Sequence, residues 1–150
     1  MFITEELKLT GFVTVSVVGP NGKVKDKREI NNLVVQGGKN FIASRFIDTE
    51  GTTVQYVGMG LGTVAAELSN IQLGSEVATR AVIESVSRTD NIVTFNGYFL
   101  PNNPNYTVNV TEVGLFNASV GGIMIARTSF AAVTKEALDV LAVQWKIRVG

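Results

Sequence analysis

Glu112 is a carboxylate in an apolar setting. It interrupts the run VTEVGLF and shares alternate positions with Val108, Val110 and Phe116. A carboxylate on such a face needs a partner or a shifted pKa. Arg127, in the next apolar run, can supply that partner across a hairpin if the chain reverses near Val120 and Gly121. We therefore read Glu112 and Arg127 as a candidate structural ion pair. Carboxylate-based hydrolysis would need a second acid at a defined distance, and the sequence places none beside Glu112.

The remaining chemistry is sparse. The chain has no histidine and no cysteine. Thiol nucleophiles, disulfide frameworks, Cys/His metal sites and histidine-based triads are thereby excluded. Gly58-Met59-Gly60-Leu61-Gly62 has the glycines of a phosphate loop without its spacing or its Gly-Lys-Ser/Thr ending. Glycine on alternate strand positions instead marks close packing or bending of a sheet. N-x-S/T triplets at Asn105, Asn109 and Asn117 read as polar strand and turn residues. The charged run at 23–29 mixes Lys23, Lys25, Lys27 and Arg28 with Asp26 and Glu29, as a solvated strand edge does. Basic and acidic residues balance at 13 each, so a polyanion such as nucleic acid is not an expected partner. No catalytic residue, cofactor or metal is expected.

Mostly strands must position these groups. Leu9, Gly11, Val13, Val15 and Val17 alternate with polar residues, the period-2 pattern of a half-buried strand. Gly19-Pro20-Asn21-Gly22 is a turn signal, and a second strand follows over 23–35. Gly37 and Gly38 are expected to end it, before a short helix over 39–47 with Phe41, Ile42, Arg45 and Phe46 on its apolar face. Further strands are expected at 55–62, 77–87, 92–100, 107–117, 122–130 and 138–149; residues 65–73 read equally as helical turn or loop. In the last strand Leu141, Val143, Trp145, Ile147 and Val149 face one way. Pro101 and Pro104 deny a ladder its donors and make 101–105 an exposed loop. The fold class is mainly β: an antiparallel β-sandwich or flattened barrel with one short helix, in a single domain spanning 1–150. Residues 1–7 are read as an extended N-terminal arm.

Apolar residues make up 45% of the chain and charged residues 17%, below the roughly 25% of an average domain. That balance favours a protein which covers part of its surface with partners. The opening MFITEELKLTG is acidic where a secretion signal is basic, and no run approaches the roughly 20 apolar residues of a membrane span. Synthesis in the cytoplasm of the cell that expresses it, with no membrane partner, is the expectation.

Five ordered blocks carry a family resemblance: REINNLVVQGGKNFIASRF, YVGMGLGTVAA, LGSEVATRAVIESV, VTEVGLFNASVGGIMIARTSF and LAVQWKIRV. Together they run from Arg28 to Val149. In these blocks the chain resembles small tailed-bacteriophage virion proteins and the N-terminal attachment domains of some phage tail fibres. The resemblance implies a non-catalytic protein of the virion that acts by assembly. Tail fibres continue into a shaft where this sequence stops, which favours a capsid decoration (cement) protein, a homotrimer clamping the major capsid protein. The alternative is a tail, neck or baseplate adaptor to which fibres attach. A carbohydrate-binding module or a polysaccharide hydrolase is more remote, because one Trp and three Tyr give few sugar platforms. Candidate interface residues are Thr4, Glu5 and Glu6 of the arm, and Pro101, Asn102, Asn103, Pro104, Asn105 and Tyr106 of the loop, where Tyr106 is an amphipathic anchor.

Overall fold

The structure is a computed structural model that describes residues 3–48 and 52–150. Among these, eight strands and one helix follow in the order β1 (Leu9–Val18), β2 (Val24–Val34), α1 (Gln36–Ser44), β3 (Tyr56–Gly60), β4 (Glu76–Thr89), β5 (Ile92–Phe99), β6 (Val108–Phe116), β7 (Met124–Lys135) and β8 (Val140–Val149). All pairings are antiparallel, and the ring closes in the order β1-β2-β7-β6-β3-β4-β5-β8. The fold is therefore a closed barrel, the second of the two expected architectures, and closure leaves no outermost strand.

Alternation builds the interior. β1 lies between β2 and β8, with Val13 opposite Ile30 on one side and Trp145 on the other; Trp145 in turn faces Phe95 of β5. Val13, Val15, Val17, Phe99, Leu141 and Trp145 are all completely buried. Side chains of about this size fill an eight-stranded barrel without leaving a channel. Phe41 of α1 packs against this core from one end.

Closure between β2 and β7 is short. Backbone register joins them only at Leu33↔Arg127 and Val34↔Ala126. Beyond that, side chains bridge the strands. The Thr128 hydroxyl donates to the Asn31 carbonyl at 2.9 Å, and the Arg28 guanidinium donates to the carbonyls of Ala131 (3.2 Å) and Ala132 (3.1 Å). Lys25 reaches Asp139 at 2.8 Å and Glu136 at 3.1 Å. The charged run at 23–29 thus spans a seam rather than simply facing solvent.

The helix departs from expectation at both ends. Gly37 and Gly38 lie inside its first turn instead of breaking the chain ahead of it. A Cβ on Gly38 would fall 2.0 Å from the Ile125 carbonyl oxygen, so glycine lets the helix rest directly on β7. At the other end α1 stops at Ser44, and Phe46, expected on the apolar face, is exposed. Arg45 stacks on the Phe41 ring, 4.5 Å from its centroid. β7 runs on to Lys135, past the expected end at 130, and residues 65–73 form neither helix nor strand.

Candidate functional site

β6 changes phase partway along. Val108 and Val110 point into the barrel core, but so do Val113 and Leu115, whereas Phe116 belongs to a second cluster with Val35, Leu73 and Met124. The register against β7 shifts between Val110 and Glu112, with extra residues on β7. A bulge of this kind redirects the side chains that follow it. Glu112 therefore does not share a face with Val108 and Val110; it turns outward with Phe116. It is nevertheless fully buried, because residues 61–75 cross over the outer face of β3 and β6.

This crossing segment, the strap, is organised by one carboxylate. Glu112 Oε2 accepts the backbone N–H groups of Gly62 (2.6 Å) and Ser75 (2.8 Å), and Oε1 accepts that of Gly74 (2.8 Å). Arg127 adds Nε at 3.1 Å and Nη2 at 3.0 Å to Oε1. Arg127 also donates to the Val64 carbonyl (2.8 Å) and to Asn70 Oδ1 (3.1 Å), pinning the middle of the strap. The Thr111 hydroxyl holds the Gly62 carbonyl at 2.8 Å, and the N–H of Gln36 in α1 reaches the Leu68 carbonyl at 2.9 Å. Leu73 fills the space beneath. A Cβ on Gly60 or Gly62 would fall 2.5 or 2.4 Å from a Glu112 oxygen. Gly60 and Gly62 therefore cradle a carboxylate, while Gly58 makes room for the Phe116 ring, where a Cβ would fall 2.9 Å from it.

Burial alone would raise the Glu112 pKa. The N–H donors of Ser75, Gly74 and Gly62, with Arg127, outweigh it and hold the carboxyl below the ordinary glutamate value. With these donors on its two oxygens, its acceptor capacity is taken up. The arrangement fixes a loop and leaves no lone pair directed at a substrate.

A second arginine repeats the device. Arg80 makes a two-point pair with Glu76 (2.7 and 3.0 Å) and lies over the Phe116 ring, 3.5 Å from its centroid. It also donates to the carbonyls of Ala118 and Gly121, both at 2.8 Å, and so fastens the β6–β7 hairpin. Ala78, with φ 65, lies between Glu76 and Arg80 and interrupts regular strand alternation. Sequence reasoning missed Arg80; the spacing Glu76-x-x-x-Arg80 is a helical pairing signal, and here it occurs in a strand.

The candidate interface residues occupy two regions. Thr4, Glu5 and Glu6 are exposed in an irregular segment, residues 3–8, ahead of β1; Met1 and Phe2 of the expected arm lie outside the described residues. In the loop, Pro101, Asn102, Asn105 and Tyr106 are exposed. Pro104 is buried and drops out of the contact surface. Asn103 is committed within the fold: its amide donates to the Thr79 carbonyl (2.9 Å) and accepts the Thr79 N–H (3.2 Å). The loop is also tied to the β7–β8 turn through the Asn102 N–H and the Ala137 carbonyl, at 2.6 Å.

Among the described residues no group of three or more acidic, His or Cys side chains is placed to hold a metal ion. No described helix is long and apolar enough to cross a membrane. No protein-family model matches the chain, and no curated protein matches it.

Proposed function

We propose that this chain is a non-catalytic structural protein of a phage virion, a capsid decoration (cement) protein that bridges neighbouring capsid subunits as a homotrimer. The observation that carries the reading is the way the barrel spends its buried charge. Glu112 and Arg127 fix a surface loop, and the loop holds Val64 and Ile71 out to solvent at 70% and 78% exposure. Rigidly presented apolar side chains suit docking, because little conformational freedom is lost on contact. The sole Trp is fully buried in the barrel, so it offers no sugar platform. Repeated modest contacts over a symmetric lattice add avidity and resist expansion of a shell.

The resemblance of the ordered sequence blocks to tail-fibre attachment domains supports a second reading, a tail, neck or baseplate adaptor. Copy number per purified virion separates the two, measured by quantitative mass spectrometry against the major capsid protein and the portal. Stoichiometry that tracks the capsid protein is expected. Stoichiometry that tracks the portal replaces the cement role with the adaptor, and absence from the particle overturns both.

A further inference from the structure

The segment ahead of β1 and the barrel end beside it are complementary. Ile3 and Leu7 of the segment are 89% and 67% exposed, an apolar pair flanking Glu5 and Glu6. Its root is pinned where the Gly150 N–H donates to the Lys8 carbonyl at 2.7 Å. Next to that root, between α1 and the ends of β1 and β2, lies an open groove of about 530 Å³. Leu7 at the foot of the arm contributes to its apolar wall with Leu9, Leu33, Val34 and Ile42, and Lys8 and Lys39 supply its charge. Neither lysine has an acidic partner among the described residues, and neither Glu5 nor Glu6 has a basic one.

We infer that the groove receives the acidic arm, residues 3–6, of a second copy of this chain. Ile3 supplies the apolar contact, against a wall that includes the receiving copy's own Leu7, and Glu5 and Glu6 meet Lys8 and Lys39. The arm leaves its own barrel at the groove it would have to enter, so a neighbour is better placed to fill it. Passing an arm from each copy into the next is a heterologous contact that closes into a ring when the rotation permits. This inference deepens the assembly reading proposed above. It is tested on purified protein, so its failure leaves the virion copy number untouched.

The experiment is a charge exchange read by sedimentation velocity on the full-length chain. One variant carries Lys8→Glu with Lys39→Glu, the other Glu5→Lys with Glu6→Lys, and circular dichroism checks that each keeps its fold. Wild type is expected to self-associate, more weakly as salt screens the pairs. Each variant alone is expected to dissociate at least about tenfold more readily, a difference of about 1.4 kcal/mol. Mixing the two restores opposite charges wherever the arm of one variant enters the groove of the other, which covers all but one contact of a trimeric ring, so the mixture should recover part of the association that neither variant shows alone. A wild type that stays monomeric at its highest soluble concentration overturns the inference. So does a mixture that behaves as the sum of its parts, which is the result expected if each arm served its own groove.

Discussion

Glu112 shows how far one buried side chain can set a surface. Its donors come from both ends of the strap and from β7, so removing its charge leaves Arg127 buried without its anion. Glu112→Gln should cost about 3–5 kcal/mol in urea denaturation. The double variant Glu112→Gln with Arg127→Met should recover part of that loss, since paired residues are not additive; full additivity would show that the two act independently. The pH dependence follows from the lowered pKa. The folded state releases this proton more readily than the unfolded state, so the contribution is complete above the unfolded carboxyl value and disappears as pH falls through the folded one. Glu112→Gln should accordingly lose stability less steeply on acidification than wild type. Lys135 presents the opposite case. It is fully buried, and among the described residues its ammonium has a single hydrogen bond, to the Glu136 carbonyl at 3.5 Å. Burial lowers its pKa against the opposing pull of Asp139, so the folded state gives up this proton before the unfolded state does. Stability from this group therefore rises with pH toward the unfolded lysine value. Lys135→Met should raise stability at neutral pH by about 1 kcal/mol and flatten that rise; a destabilised variant would mean that the ammonium is satisfied where it lies.

Elements differed in how openly the sequence declared them. β1 and β8 were legible because each buries one face, and Val13 and Trp145 fall on the expected parity. β6 was legible as a strand but not in phase, because its inward face passes from Val110 to Val113 where the register with β7 shifts, and Glu112 keeps the spacing of the face that ends there. The ion partners could be named from residue type alone, whereas the strap could not, since backbone N–H groups hold it and every residue carries one. Glycine at 37 and 38 was misread for a related reason: a glycine that breaks a chain and one that lets two backbones touch look alike in sequence. Gly38→Ala decides between these roles. Its methyl group would drive α1 off Ile125, at a cost of about 1–3 kcal/mol by thermal or urea unfolding. If the glycine served only as a breaker, alanine would be neutral or stabilising, as at an ordinary helix position.

For the molecule as a whole, ring closure rests on contacts distant in sequence. No local pattern announces that β2 will meet β7, about a hundred residues away. Two backbone pairs and a set of long polar side chains complete the circle there, while β1 and β8 pair from Leu9↔Val149 to Val18↔Val140. The barrel therefore behaves less like a hoop than like a cuff with a clasp. Arg28, Lys25 and Thr128 are the fastenings, and side chains let go more readily than a backbone ladder. Hydrogen exchange should be fastest at amides of residues 24–32 and 129–135 that face the clasp, and slowest along β1, β8 and β5. Arg28→Ala should quicken the first group and leave the second unchanged; equal protection around the whole circumference would mean the clasp is as firm as the rest. Any rearrangement needing the cuff to spread can begin at this one line, leaving the strapped face on β3 and β6 undisturbed.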